Sequence, residues 1–327
     1  MRAKGISYDT GFHNRGHSTH EPFLAERVRR DMHAIRHDLH CTAVRVTGGD
    51  PDRLELACRL AAEQGLEVWF SPFPNDLTTE ELLPYLADCA RRAERLRREG
   101  AEVVLLTGAE LSLVVPGFLP GEAIEDRIAA LTPETLHEVL PGLLPRLNAF
   151  LAEAVAEVRR HFGGRVSYAA IPFERVDWSP FDLVSVDLYR SAEVAEQYLP
   201  GLAALIAQGK PVAVTEFGSA THTGAAAKGA RGGEIVRWRD REPVGLTGAF
   251  TRDEREQAEH LREMVALLAG AGVDSAFVYT YANFHLPRRA ETDLDLASYG
   301  VVAIEEDGTR TPKQAYAAVA TTFADLA

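Results

Sequence analysis

Short apolar runs alternate along the chain with longer segments whose apolar residues recur at helical spacing. The runs are rich in Val, Leu, Ile and aromatic residues, and polar or Gly residues bound them, as in buried strands. They predict strands at residues 4–9, 41–46, 67–73, 101–111, 165–173, 182–189, 211–217 and 273–283. The intervening segments predict helices at 21–39, 51–65, 79–100, about 145–162, about 192–208, 251–272 and 311–326. Two Pro-Gly pairs, at 116–117 and 141–142, predict a long insertion after the fourth strand.

This alternation predicts a chain of βα units. Eight such units in 327 residues predict an α/β protein with a (β/α)8 TIM-barrel fold, as a single domain over residues 1–327. The alternative is a doubly wound open sheet, which usually carries a Gly-rich first βα turn. No G-x-G-x-x-G pattern follows the first predicted strand, "KGISYD". The barrel is therefore the favoured fold.

Composition narrows the class of protein. Hydrophobic residues make up 46% of the chain, which suffices for a large core, and the net charge of −13 argues against nucleic acid as a partner. We find no run of 18 apolar residues that predicts a membrane span, and no signal-peptide pattern at the start. Cys41, Cys58 and Cys89 lack metal-ligand spacing and are expected to be reduced core residues. We expect a soluble, cytoplasmic protein.

Polar residues recur where the predicted strands end. They include Asp9, Arg45, Glu110, Glu174, Asp187, Tyr189, Glu216, Tyr279, Tyr281 and Asn283. In a TIM barrel the carboxyl ends of the strands meet at one face, which carries the active site. Buried acids are costly unless they are paired, so each acid alone could be a structural partner of an arginine. Their convergence on one rim predicts a functional site instead.

Five segments, in order, resemble a known clan of enzymes. They are "TAVRV" (42–46), "VVLLTGAELS" (103–112), "FDLVSVDLY" (181–189), "VAVTEFG" (212–218) and "YGVVAIEEDGTRTPKQAY" (299–316). Together they resemble the (β/α)8 retaining glycoside hydrolases whose catalytic glutamates end strands four and seven. The resemblance implies Glu216 as nucleophile and Glu110 as acid/base, with Arg45 and Tyr189 contacting Glu216. It implies a small-molecule glycoside substrate and no cofactor.

Other rim residues are candidates for substrate binding. They are Asp9, Tyr281 and Asn283 at strand ends, and Trp238 in the "RGGEIVRWRDR" loop, which could cover the site. Two departures from the clan concern sugar recognition. Ala109 stands where the clan has an Asn that binds the 2-hydroxyl of the sugar, and "VYTYANF" replaces a segment that often carries a Trp platform. Both departures argue against an ordinary hexose substrate and allow a catalyst adapted to another reaction.

Two alternatives remain open at this stage. His13, His17 and His20 lie beside Asp9 in one loop, and imidazoles with a carboxylate suit a transition metal. A metal-dependent isomerase or hydrolase would then use Glu110, Asp187 and Glu216, although the histidines lack the close spacing that places ligands on one element. In a non-catalytic carbohydrate-binding barrel, the acids would serve only as hydrogen-bond acceptors.

Overall fold

Eight parallel strands form the centre of the fold. The structure, a computed structural model, describes residues 1–14, 17–239 and 242–326, and all of their side chains except those of 13, 14 and 17. The strands are β1 (Ala3–Asp9), β2 (Ala43–Gly48), β3 (Glu67–Pro72), β4 (Val103–Ala109), β5 (Arg165–Ala169), β6 (Val184–Asp187), β7 (Val212–Phe217) and β8 (Ser275–Val278). Neighbours in the chain pair from β1 to β5 and from β6 to β8, and β8 pairs with β1.

The sheet closes between β5 and β6. Ala170 and Val186 form a parallel bridge there, and the Asp187 amide donates to the Ala170 carbonyl at 2.8 Å. The barrel predicted from the sequence is therefore confirmed. Several strands end earlier than predicted, β8 at Val278 and β5 at Ala169, because the apolar residues beyond them enter loops that form the rim.

Helices surround the strands. They are α1 (Ala25–His37), α2 (Pro51–Ala62), α3 (Thr79–Arg98), α4 (Leu111–Val114), α5 (Ile124–Ala129), α6 (Pro133–Arg159), α7 (Ala195–Ile206), α8 (Glu254–Gly270) and α9 (Gln314–Asp325). Their starts follow local capping chemistry: Asp50 accepts the amides of Asp52 and Arg53, and Thr78 forms a capping box with Glu81. Between β5 and β6, residues 170–183 hold a 3₁₀ turn (Pro172–Glu174) and no α-helix.

The long helix α6 corrects a prediction. It begins at Pro133, well before the predicted 145, and the Pro141-Gly142 pair interpreted as a turn lies inside it. Thr132 caps the helix by accepting the Thr135 amide, and its buried residues begin only at Leu143. Pro141 and Pro145 are both exposed, so their rings lie on the outer face of the helix. By length and composition alone α6 could cross a membrane, but a core helix passes the same test, and α6 packs on α3 and β4.

Two hydrophobic layers hold the barrel together. One lies between strands and helices and contains the three free, buried cysteines. The other fills the barrel with Trp69, Leu106 and Phe277 beside small alanines. Gly5 makes this inner layer possible, because a Cβ there would lie 2.3 Å from the Phe277 ring. The large side chains therefore occupy the interior, and the polar residues remain at the carboxyl ends of the strands.

Candidate active site

Three carboxylates meet at the mouth of the barrel. Glu110 directly follows β4, Asp187 is the last residue of β6, and Glu216 is the penultimate residue of β7. One oxygen from each lies within 4.8 Å of the other two. Glu110 is partly exposed, whereas Asp187 and Glu216 are buried. The two glutamates singled out in the sequence therefore face one another across the mouth.

A β-bulge precedes each of these glutamates. In β7, Val214 pairs with Ala276 but Phe217 pairs with Val278, so β7 carries one extra residue. In β4, Leu106 pairs with Ser167 and Ala109 with Ala169, which again leaves one extra residue on the β4 side. Side chains alternate between the faces of a strand, and a bulge shifts this alternation by one residue. The bulge in β7 thus turns Glu216, instead of its neighbour, towards the mouth.

The backbone of Glu110 adopts an unusual conformation. Its φ of 48° and ψ of 40° lie in the left-handed region, which costs a residue with a side chain about 1–2 kcal/mol. Residues held in such conformations cluster at functional sites, where surrounding contacts maintain them. The strand ends at Ala109, and Glu110 is the N-cap residue of the short helix α4. Its side chain consequently projects from the rim.

Arg45 and Tyr189 hold Glu216 at both oxygens. The fully buried Arg45 Nη1 donates to Glu216 Oε1 at 2.7 Å and to Asp187 Oδ1 at 3.3 Å, while its Nε donates to Ser71 Oγ at 3.1 Å. The Tyr189 hydroxyl donates to Glu216 Oε2 at 2.9 Å. One guanidinium thus bridges two carboxylates, and the orientation of Glu216 is restrained from two sides.

The two glutamates have raised pKa values but different electrostatic surroundings. Burial, and then the charges of Asp187 and Glu216, raise the pKa of Glu110 well above its usual range. Burial and Asp187 also raise the pKa of Glu216 to about 7, although Arg45 and Tyr189 act in the opposite direction. Arg45 does not cancel this shift, because it shares its charge between Glu216 and Asp187. The two hydrogen bonds that favour the charged form of Glu216 have no described counterpart at the Glu110 carboxyl, whose protonated form burial and like charges favour.

Asp9 and His20, at the two ends of the loop after β1, make hydrogen bonds within that loop. Asp9 accepts the Gly11 amide and the Thr19 hydroxyl, each at 2.6 Å. His20 Nδ1 donates to the Asp9 carbonyl at 2.8 Å, and its ring stacks on Phe284 with centroids 3.5 Å apart. Burial lowers the pKa of His20 to about 4. The side chains of His13 and His17 lie outside the described residues. Within the described part of the chain, the group spaced for a metal is that of the three carboxylates.

Tyr279 and Tyr281 follow the end of β8 but lie in different surroundings. Tyr279 is partly exposed, and its pKa is raised by burial and by Glu216 among other charges, while the Asn283 side chain acts in the opposite direction. Tyr281 is buried, and its hydroxyl donates to Asp31 of α1 at 3.2 Å. The structure thus places Tyr279 near Glu216 at the mouth, and Tyr281, predicted to bind substrate, behind the barrel wall. The strand ends at Val278, so its alternation does not extend to residue 281. Asn283 is buried, and its Oδ1 accepts the Tyr299 amide at 2.9 Å and the Ser298 hydroxyl at 3.2 Å.

Tyr279 has a close neighbour in the chain segment after Glu216. A Cβ on Gly218 would lie 2.4 Å from the Tyr279 carbonyl oxygen, so only glycine fits there. Tyr299 stands between Tyr279 and Tyr189, with ring centroids 5.8 and 5.9 Å away. An aromatic wall therefore lines the Glu216 side of the mouth. The sequence places both Tyr279 and Tyr281 at the end of the last predicted strand. No sequence feature shows which of the two side chains faces the mouth.

Trp238 lies on a hairpin formed by Val236–Arg239 and Glu242–Leu246. It is 53% exposed, and its ring stacks on His285, two residues after Asn283, with centroids 6.0 Å apart. No described contact joins Trp238 to the carboxylates. Ala109 is fully buried in the inner layer, and its methyl group offers no hydrogen bond beside Glu110.

The solved structures with a similar fold include several glycoside hydrolases. A GH113 β-1,4-mannanase superposes with a TM-score of 0.67 at 17% identity, over 99% of each chain. The GH113 β-mannanase of Alicyclobacillus acidocaldarius gives 0.63 at 18% identity, over 99% of this chain and 97% of that one. A β-glycosidase gives 0.58 at 16% identity, over 100% and 97%. No protein-family model and no curated protein sequence matches the chain. At these identities the likeness establishes the fold.

Proposed function

We propose that this protein is a retaining β-glycosidase that cleaves an O-glycoside with Glu216 as nucleophile and Glu110 as acid/base. The observation that carries the proposal is the approach of their carboxylate oxygens to within 4.8 Å. Retaining enzymes hold their two carboxyl groups about 5–5.5 Å apart, whereas inverting enzymes need about 6.5–9.5 Å to admit a water molecule. The similar folds of β-mannanases and of a β-glycosidase support a β-linked substrate.

The first step forms a covalent intermediate. The Glu216 carboxylate attacks the anomeric carbon, and Glu110 gives its proton to the glycosidic oxygen as that bond breaks. The aglycone leaves as an alcohol, and the sugar is esterified to Glu216. In the second step Glu110, now a carboxylate, takes a proton from water. That water attacks the anomeric carbon, and Glu216 leaves as a carboxylate.

The surrounding residues suit these roles. Arg45 and Tyr189 bond to opposite oxygens of Glu216 and hold the carboxylate in one orientation. Burial and like charges favour the protonated form of Glu110, as the first step requires. Tyr279 lies beside Glu216 and would contact the sugar, Asn283 would do so through its amide nitrogen, and exposed Trp238 would contact the leaving portion. Ala109 leaves the 2-hydroxyl without the amide that the clan supplies.

Trapping with an activated 2-fluoro glycoside tests the proposal. A 2,4-dinitrophenyl 2-deoxy-2-fluoro glycoside forms the ester quickly but hydrolyses slowly, because fluorine destabilises both transition states and the good leaving group compensates only in the first. The β-mannoside, β-glucoside and β-glucuronide should be compared. Mass spectrometry should find one sugar on the peptide that contains Glu216. If none of the three glycosides labels the protein while it remains folded, the proposal is contradicted.

The second candidate is metal-dependent chemistry, which the spacing of the three carboxylates favours. Arg45 already bonds to two of them and supplies positive charge where a cation would sit. We therefore expect aryl-glycoside hydrolysis to be unchanged after exhaustive dialysis against EDTA. Loss of activity that zinc or manganese restores, with calcium as the control ion, would favour the metal-dependent reaction instead.

Activity should follow a bell-shaped pH profile with its rising limb near pH 7. The rising limb of kcat/KM reports ionisation of Glu216, whose pKa is about 7, and the falling limb reports loss of the Glu110 proton at higher pH. Asp187 raises both values, so Asp187→Asn should move both limbs to lower pH. Asp274→Asn, at the opposite end of the barrel, should move neither. A rising limb that stays in place in Asp187→Asn contradicts this account.

A further inference from the structure

Three successive amides at the Glu110 turn are held by one segment of the chain. The Glu110 amide donates to the Ala169 carbonyl at 2.9 Å. The next amide, of Leu111, donates to the Tyr168 hydroxyl at 2.7 Å, and that of Ser112 donates to Glu174 Oε1 at 3.0 Å. Every acceptor belongs to residues 168–174, which end β5 and form the following 3₁₀ turn. The turn that carries the acid/base is thus attached to the neighbouring strand.

Tyr168 and Glu174 also bond to one another. The Tyr168 hydroxyl lies 2.9 Å from each oxygen of Glu174, to which it donates, and the Ile171 amide donates to Glu174 Oε2 at 3.1 Å. Both side chains are fully buried. The described partners of Glu174 are neutral donors, and burial raises its pKa to about 7. A buried carboxyl group without a described arginine or lysine partner is costly, which suggests a role beyond folding.

The amides of Leu111 and Ser112 open helix α4, for which Glu110 is the N-cap residue. First-turn amides lack partners within a helix, and the side chain of the N-cap residue commonly accepts the second or third of them. Here Tyr168 and Glu174 accept them, and Glu110 makes no capping bond. The Glu110 carboxyl is consequently left facing Asp187 and Glu216.

We propose that Tyr168 and Glu174 are positioning residues that occupy the first amides of α4, so that Glu110 stays directed at the glycosidic oxygen. This inference rests on the proposed glycosidase function. In its terms, loss of the Glu174 bond frees the Ser112 amide, the second of α4, which the Glu110 carboxyl can then cap. Loss of the Tyr168 hydroxyl releases the Leu111 amide and removes a donor that holds Glu174 in place. The acid then turns away from the leaving group, while Glu216, Arg45 and Tyr189 are undisturbed.

The test compares two leaving groups on the sugar that the wild-type protein cleaves, phenol and 2,4-dinitrophenol. Only the phenyl glycoside needs protonation by Glu110. Tyr168→Phe and Glu174→Gln should therefore lower kcat/KM for the phenyl glycoside about 100-fold, and that for the dinitrophenyl glycoside by less than about 5-fold. The rate of trapping by the dinitrophenyl 2-fluoro glycoside should likewise stay within about 5-fold of wild type.

Tyr8→Phe is the matched control. Tyr8 is equally buried, and its hydroxyl also donates to a buried carboxyl, Asp31, at 2.9 Å, but on the outer side of β1. It should lower the melting temperature without altering the ratio between the two substrates. Equal losses on both substrates in the Tyr168 and Glu174 variants, or activity equal to that of Tyr8→Phe, would overturn the proposal. If Glu174→Gln does not fold, the comparison of the two leaving groups in Tyr168→Phe alone tests the proposal. A wild-type protein that is neither active nor labelled refutes the glycosidase function itself, before any variant is compared.

Discussion

Glu216→Gln is expected to abolish turnover, with kcat falling at least about 10⁴-fold, because a neutral amide cannot form the glycosyl ester. The change preserves the size of the side chain, and Arg45 retains Asp187 as a charged partner. Hydrolysis of the best aryl glycoside and labelling by the 2-fluoro glycoside should disappear together. Residual turnover within about tenfold of wild type would assign the nucleophile to another residue.

The same variant should not lose stability. The pKa of Glu216 is raised in the folded protein, so the folded state binds more protons than the unfolded chain between the ordinary range of a glutamate and about pH 7. This difference favours folding at low pH, and the stabilisation is lost as pH rises through about 7. Glutamine does not ionise, so the Glu216→Gln variant does not lose stability as the pH rises through about 7. Its melting temperature at pH 8 should therefore equal or exceed that of wild type.

Glu67→Gln serves as the control for both measurements. Glu67 is also a buried carboxylate, but it begins β3 at the opposite end of the barrel, where it pairs with Arg2 and Arg165 and accepts from the Trp69 indole. Its replacement should leave kcat unchanged and lower the melting temperature. If Glu67→Gln impaired turnover as severely as Glu216→Gln, loss of activity would report general disturbance of the barrel.

Glu110→Ala is expected to impair the reaction in a way that depends on the leaving group. For a phenyl glycoside, loss of general-acid catalysis should lower kcat/KM about 10²–10⁴-fold. For a dinitrophenyl glycoside the first step needs no proton, so it should persist, and the glycosyl-enzyme should accumulate because no base activates water. A burst of dinitrophenol followed by a slow steady state would record this accumulation.

Azide then provides the decisive measurement on Glu110→Ala. The anion is small enough for the space vacated by the side chain, and it needs no base to attack the intermediate. It should raise the steady-state rate with the dinitrophenyl substrate and yield a glycosyl azide of retained configuration. Glu216→Gln, which forms no intermediate, should not respond. Equal losses on both substrates and no effect of azide would remove Glu110 from the acid/base role.

Much of the architecture could be predicted because it depends on local patterns. Buried parallel strands need continuous apolar runs, and the helices around them need apolar stripes, so the eight βα units are visible in the sequence. The carboxyl ends of such strands form one rim, which makes Glu110 and Glu216 candidates without coordinates. The start of helix α6 does not follow from the sequence, because Pro141 and Gly142 are typical of a turn. The helix continues through them because its later residues, from Leu143 onwards, are buried against the barrel.

The sequence by itself therefore determined the barrel, its strand order and the polar residues at its mouth, since these depend on composition and on neighbours in the chain. Only the tertiary structure decided which way those residues point. The bulges that turn Glu216 and Ala109 inward are set by pairing with other strands, and simple alternation does not reveal them. The bridging of Asp187 and Glu216 by Arg45, and the hold of Tyr168 and Glu174 on the Glu110 turn, join residues distant in the chain. Such contacts arise from packing across the barrel, so they set the chemistry of its mouth without leaving a periodic signal in the sequence.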